Sequence, residues 1–454
     1  METDSSVYRL DPVAARGPMP LDWLTRLDPL RRIRCPFCFD RFAACQMHLR
    51  CDDPYCKTDF GHMIPDPILS KALNGPRVAA GAGATLRSPW WVVPTADKRR
   101  GVRRFLDWMV LPAALECPNC HKRTDVRLCP HCHGRLPDSA VTLDAGHIAI
   151  FGPQSVGKTT YVTVLIHELE HRVGPARGFT LDPLTDDIRD RYDREYHELT
   201  YGGGGGQFGV GEGFDADSRR SHSATPSLET NRGVLQPLVY KVTARRGDKG
   251  KRVGTLLSFF DTAGEDWEMN LELLRSEARY LGQARGLLFL LDPLRIREVA
   301  LDRRIRLTEK EMRVPPADYL TDARKLSTFF PKTPVKTPLA IVLNKLDRWG
   351  GLTEPGSILH RLATSVPDER PDASLDRLVH DEVQAALRRW GMTGYLDYMD
   401  LHFPNHRFFA CSTLGDAAPE HDDAPQPLPT PILVDRPVLW LLERQGVIAP
   451  APAG

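Results

Sequence analysis

The 454-residue chain is 41% hydrophobic and 26% charged, with a formal net charge of +1. That length has room for two or three domains, and the near-neutral charge gives no global argument for nucleic acid or an acidic membrane. Apolar runs such as 90–94 and 105–115 are too short to span a bilayer. The N-terminal Met1-Glu2-Thr3-Asp4-Ser5-Ser6 lacks the pattern of a secretory leader, so a cytoplasmic protein with no membrane insertion is expected.

Residues 1–140 read as a zinc-binding region. Nine of the ten cysteines fall between Cys35 and Cys132. A chain with no secretion signal sits in a reducing compartment, so metal ligation is a better reading than disulfides. Cys117-Pro-Asn-Cys120 and Cys129-Pro-His-Cys132 are two Cys-x2-Cys knuckles, and their spacing predicts one tetrahedral four-thiolate zinc site. Cys35-Pro-Phe-Cys38 is a third knuckle, with Cys51 and Cys56 as the expected partners and Cys45, His48 and His62 as rivals. Four thiolates leave no open position, so both sites are expected to be structural. The region carries an excess of six basic residues, which two Zn²⁺–thiolate sites would reduce to about two. Protein interaction is therefore favoured over nucleic-acid binding. Between the knuckles, a loop, a short strand at 90–93 and a helix near 102–109 are expected.

Residues 141–448 read as a nucleotide-binding domain, with 449–454 a tail. The apolar run Ile148 to Phe151 predicts a buried strand that leads into Gly152-Pro153-Gln154-Ser155-Val156-Gly157-Lys158-Thr159-Thr160. This is the P-loop pattern, followed by helical spacing at Val162, Leu165, Ile166 and Leu169. Glycines let backbone N–H groups wrap a polyphosphate, and a helix N-terminus adds partial positive charge. Lys158 is expected on the β/γ-phosphates and the Thr159 hydroxyl on Mg²⁺.

Further strands are expected at 235–242, 255–260, 286–291, 339–343 and 407–410, alternating with helices as in a parallel sheet with crossovers. Two motifs fall at carboxyl ends of these strands, where open α/β sheets bind ligands. In Asp261-Thr262-Ala263-Gly264 the carboxylate would serve Mg²⁺ and the Gly264 N–H the γ-phosphate. In Asn344-Lys345-Leu346-Asp347, the Asp347 carboxylate would accept two hydrogen bonds from the N1–H and 2-amino group of guanine. Adenine would leave that carboxylate unpaired, at a cost of about 1–3 kcal/mol. The Lys345 stem would cover the base, and main-chain N–H groups around Ser412 and Thr413 would back it.

This ordered set of motifs resembles the Ras-like, translation-factor class of P-loop GTPases. The resemblance implies an α/β fold with a mostly parallel, six-stranded sheet flanked by helices, GTP or GDP with Mg²⁺ as ligands, and switch loops that sense the γ-phosphate. Zinc knuckles ahead of such a domain resemble the double-GTPase proteins of bacterial conflict systems, which implies a protein partner that is itself a GTPase. Glu265 stands where many relatives carry the glutamine that orients the attacking water, so hydrolysis is expected to depend on Lys158, Glu265 and a partner. Thr225 and Thr230 are the candidates for a switch threonine on Mg²⁺, near the glycine run 202–206. Helices are expected within 292–332, at 374–390 with Leu375, Leu378, Val379, Val383, Ala386 and Leu387 inward, and at 436–444. The leading expectation is a GTP-hydrolysing switch acting on a protein partner. Its rivals are a non-hydrolysing scaffold that holds GTP, and a zinc-ribbon nucleic-acid-binding module with an attached GTPase.

Overall fold

The computed structural model describes residues 32–50, 85–87, 115–116, 123–153 (without 125, 133, 138, 141 and 142), 156–201, 237–246, 251–261, 281–364 (without 308 and 331), 373–415 and 428–450. The expectations for Cys51, Cys56, Cys117, Cys120, Gln154, Ser155, Thr225, Thr230, Gly264 and Glu265 fall outside these residues, as do the strand at 90–93 and the helix near 102–109. The chain divides near residue 145 into two compact units.

The first unit is built from short antiparallel pairs. Strands β1 (Arg32–Arg34) and β2 (Arg41–Ala43) form a hairpin whose turn carries Cys35 and Cys38. A second sheet runs in the order β4 (Thr85–Arg87), β3 (His48–Arg50), β7 (Val126–Leu128), β8 (Arg135–Leu136). The β7–β8 hairpin carries Cys129 and Cys132 at its turn. A small pair, β5 (Leu115–Glu116) with β6 (Arg123–Thr124), brackets the Cys117-to-Cys120 knuckle in sequence. The two-residue strand β9 (Asp144–Ala145) ends the unit.

The second unit is an α/β sheet. Its strands lie in the order β11 (Phe179–Pro183), β12 (Leu238–Arg246), β13 (Lys251–Asp261), β10 (Ile148–Phe151), β14 (Gly286–Leu291), β15 (Leu339–Leu343), β16 (His406–Ala410). From β13 to β16 every pairing is parallel; β12 is antiparallel to both of its neighbours. Among the described residues this path holds seven strands where six were expected. The extra one is β11, whose Phe179, Thr180 and Leu181 alternate buried and exposed as an edge strand does.

The three central strands explain the core. β10, β14 and β15 are apolar at nearly every position and buried throughout, because helices cover both faces of a parallel sheet. Phe151 and Phe289, partners in register, stack with centroids 4.9 Å apart. Helix α1 (Lys158–Glu168) follows the β10 loop directly. The segment after β14 contains α2 (Glu309–Arg313) and α3 (Tyr319–Thr328), and β15 leads into the short α4 (Leu346–Trp349).

Helix α5 (Ala373–Arg389) buries Val379, Val383, Ala386 and Leu387, but Leu378 is 51% exposed and leaves the expected stripe. Gly391, at φ +74°, ends it through hydrogen bonds that only a left-handed residue allows. The helix lies against edge strand β16, where the His380 Nδ1 accepts the Phe408 N–H at 3.0 Å. Helix α6 (Thr393–His402) precedes β16, and α7 (Arg436–Arg444) buries Val438, Leu439, Leu441 and Leu442. Arg436 of α7 meets Asp376 of α5 in a two-pronged ion pair, Nε to Oδ1 at 2.9 Å and Nη2 to Oδ2 at 2.6 Å, both side chains buried. No helix among the described residues is long and apolar enough to cross a membrane.

Candidate nucleotide site and four-cysteine centre

The loop after β10 needs glycine at two places for steric reasons. At Gly152 a Cβ would sit 2.5 Å from the Leu290 carbonyl oxygen of the neighbouring strand. Gly157 has φ +83° and caps α1, with the Tyr161 N–H donating to its carbonyl at 2.8 Å. The chain thus passes from strand to helix in one tight loop. Lys158 curls back over it, its Nζ donating to the carbonyls of Gly152 at 2.9 Å and Pro153 at 3.0 Å. The ammonium is largely buried and is held beside the N-terminus of α1, where an anion is favoured. Thr159 and Thr160 occupy the first turn of that helix. Asp261 ends β13 and pairs in register with Ile150, two residues before Gly152, so its backbone adjoins the loop.

Asn344 joins this loop to the ends of two other strands. Its Nδ2 donates to the Val156 carbonyl at 3.1 Å. Its Oδ1 accepts from the Thr413 hydroxyl at 2.8 Å and from the Lys345 N–H at 2.8 Å. Its main chain continues the sheet contacts: the Asn344 N–H donates to Leu291 and the Trp349 indole donates to the Asn344 carbonyl at 2.7 Å. Lys345 takes a left-handed conformation at φ +60°, which turns the chain sharply into α4. Asp347 lies in the first turn of that helix and accepts a short hydrogen bond from the Ser412 hydroxyl. Burial raises the Asp347 carboxyl above the ordinary range against the opposing effect of Ser412. A donor-rich ligand edge would relieve that strain on the charged form.

The structure therefore brings Val156, Gly157, Asn344, Asp347, Ser412 and Thr413 together from three distant stretches. The Ser412 main-chain N–H is already engaged, donating to Ile432 at 3.0 Å in an isolated bridge, while its hydroxyl meets Asp347.

Two acidic residues that no sequence motif marks also reach this segment. Lys345 Nζ meets Asp292 Oδ2 at 2.8 Å and Glu311 Oε1 at 3.1 Å. Burial alone would lower the Lys345 pKa, but these carboxylates outweigh it and hold the pKa above the usual lysine value. Asp292 directly follows the buried run Gly286 to Leu291, the kind of strand end where functional carboxylates sit, and that signal was available. Glu311 carries no such signal.

In the first unit, Cys35, Cys38, Cys129 and Cys132 form one cluster with all four Sγ atoms within 4.8 Å of one another. This overturns the expected pairing of Cys35 and Cys38 with Cys51 and Cys56, and of Cys129 and Cys132 with Cys117 and Cys120. The physical reason is the topology: β3 pairs with β7 across a long intervening stretch, and the two knuckle-bearing hairpins meet. Nearness in sequence was the wrong guide.

The cluster fits zinc. A Zn–S bond of about 2.3 Å implies tetrahedral S···S edges of about 3.8 Å. The observed Cys35–Cys132 and Cys38–Cys129 separations are 3.8 and 3.7 Å. Backbone N–H groups of Phe37, His131 and Gly134 point at the Cys35, Cys129 and Cys132 sulfurs at 3.4 Å, which favours thiolates. Burial pushes the Cys35 thiol up, whereas the Cys132 thiol's hydrogen bond holds Cys129 well below the usual thiol range. A divalent cation would remove that conflict by favouring four thiolates together.

No protein-family model matches the chain. A curated protein of Mycolicibacterium smegmatis, SaeC, described as a proposed ESX-1 scaffolding and assembly protein, is 25% identical over 290 residues, covering 61% of this chain and 68% of its own length. Among solved structures, the Saccharomyces cerevisiae Ski7 GTPase-like domain bound to GTP is 12% identical with a TM-score of 0.27, over 66% of this chain and 50% of that one. The Chaetomium thermophilum signal recognition particle receptor SRb-GTP/SRX complex is 12% identical with a TM-score of 0.24, over 61% of this chain and 94% of that one. The chain thus spans only half of the Ski7 structure.

Proposed function

We propose that the chain binds guanine nucleotide and acts as a nucleotide-dependent switch or scaffold for a protein partner. The supporting observation is Asn344, whose side chain joins the phosphate loop at Val156 to Thr413, while Ser412 orients Asp347. In this reading the Gly152-to-Thr160 loop wraps the phosphates, Lys158 neutralises them, and Thr159 and Asp261 hold Mg²⁺. Asp347 selects guanine by accepting from N1–H and the 2-amino group. Zn²⁺ on Cys35, Cys38, Cys129 and Cys132 folds the first unit and does no chemistry.

Hydrolysis belongs to the proposal as well. Glu265 can accept a hydrogen bond from water but cannot donate one to the γ-phosphate, so turnover would depend on a group supplied by a partner. The description of SaeC as a scaffolding and assembly protein favours the second reading, in which bound GTP stabilises a platform for other proteins.

The test is a competition titration against fluorescent GDP. Asp347→Asn should move preference from guanine toward xanthine nucleotides, since an amide can donate to the xanthine 2-oxo group. Unchanged guanine preference would sink the base assignment. Lys158→Ala should abolish tight binding. Lys158-dependent GTP turnover by the wild-type chain with Mg²⁺ alone would rule out the scaffold, whereas tight binding without turnover leaves a partner-activated switch and a scaffold and sends the search to the partner.

A further inference from the structure

The loop between β14 and α3 is held closed at both ends. The Tyr319 hydroxyl donates to the Asp292 carbonyl at 2.8 Å and accepts the Asp292 N–H at 3.0 Å. Further along, the Ala317 N–H donates to Arg295 at 3.1 Å, and the Arg295 Nε donates to Pro315 at 3.2 Å. Asp318 caps α3 by accepting the Thr321 N–H at 3.0 Å. These pins fix the stretch that carries α2, and Glu311 lies at its middle.

Glu311 uses both carboxylate oxygens on the base-site segment. Oε1 accepts from Lys345 Nζ at 3.1 Å and from Arg348 Nη1 at 3.5 Å; Oε2 accepts from Arg348 Nη2 at 3.3 Å. Lys345 and Arg348 flank Asp347 in sequence. The side chains of Lys345, Glu311 and Arg348 are 25%, 17% and 29% exposed, so solvent screens these pairs less than it would at an open surface. Asp292 anchors the same ammonium from below, its other oxygen taken by the Leu294 N–H at 3.0 Å. With its head group fixed between two carboxylates, the Lys345 stem cannot wander among rotamers and stays where a base would lie against it.

We propose that Glu311 is a positioning residue for guanine nucleotide, a latch that sets how long the nucleotide stays bound. The proposal rests on the guanine-binding reading. Opening the latch leaves Lys345 held by Asp292 alone and Arg348 by the Arg306 carbonyl, and so loosens the platform under the base without removing a contact of Asp347 or of the phosphate loop. A partner that engages α2 could trigger release by this route.

The experiment measures release of fluorescently labelled GDP and IDP from the full chain with Mg²⁺, comparing wild type with Glu311→Gln and Glu311→Asp. The expected result is about tenfold faster release from Glu311→Gln, by the same factor for both nucleotides, with the melting temperature of the nucleotide-free protein unchanged. Glu311→Asp should recover part of the slow release. A merely structural role would lower the melting temperature instead. Release from Glu311→Gln at the wild-type rate overturns the latch, as does acceleration with loss of the GDP-over-IDP preference, which would mean the effect passes through Asp347. A wild-type chain that binds no GDP overturns the guanine reading and the latch together, a result distinct from either of these.

Discussion

The Asn344 side chain donates to the Val156 carbonyl across 188 residues of sequence, at 3.1 Å, and accepts from Thr413 on the far side at 2.8 Å. One buried amide thereby fixes the distance between the phosphate end and the base end of the candidate site. Asn344→Ala leaves the Thr413 hydroxyl and the Val156 carbonyl without this partner, at a cost of about 1–3 kcal/mol to stability. Nucleotide affinity should fall by about tenfold or more, because the two ends are no longer held in register. Thermal unfolding and a GDP titration of the same variant check both.

Cys35→Ser should remove one of four zinc ligands and destabilise the first unit. Zinc released by a thiol-reactive reagent and counted by mass spectrometry would fall by one equivalent per chain. Cys129→Ser should do the same, and the double variant should do no more than either alone, because all four sulfurs serve one ion. Additive losses from the two single variants would show that they serve separate sites.

The Arg436–Asp376 pair ties α7 to α5 with both side chains about 95% buried. Asp376→Asn leaves a buried guanidinium short of its counter-charge and should cost about 3–5 kcal/mol. Arg436→Met with Asp376→Leu removes both charges together and should recover most of that loss. Denaturant unfolding of the single and double variants measures the difference.

His380 gives the second unit a pH dependence. Its Nδ1 accepts the Phe408 N–H, so the ring must be neutral there. Burial depresses its pKa, with His406 and Arg407 adding to the effect and Asp381 and Asp400 opposing it. Burial likewise lowers His406, against the Phe403 carbonyl that accepts from it and the charge of Asp400. The folded state therefore binds fewer protons than the unfolded chain, whose histidines titrate near about 6.5. The stabilisation is present in full above that value and is lost as pH falls through it toward the lower folded pKa. The denaturant midpoint should drop between about pH 7.5 and 5.5, and His380→Gln should flatten part of that slope.

Much of this architecture was legible in the sequence because local signals and tertiary demands agreed. The buried runs at 148–151, 286–291 and 339–343 read as strands of a parallel sheet since no polar residue interrupts them, and the motifs fell where those strands end. β11 escaped because its alternation is short, four residues from Phe179 to Asp182 before Pro183 ends the strand. Leu378 misled because an apolar residue at helical spacing need not face the core: its neighbour Val379 is buried while Leu378 is 51% exposed. Glu311 was invisible: only the closing of a loop by Tyr319 and Arg295 brings it to Lys345. The cysteine pairing failed for a related reason, since spacing along the chain says nothing about which hairpins meet.

Those hairpins impose an order on biosynthesis. Cys38 and Cys129 lie 91 residues apart, so a ribosome must deliver nearly a third of the chain before the metal centre can close. Until then Cys35 and Cys38 present an open half-site, able to bind zinc weakly or to react with an oxidant. With zinc as the metal proposed for this centre, a cell short of it would fail this protein at its first unit while the sheet that follows still folds.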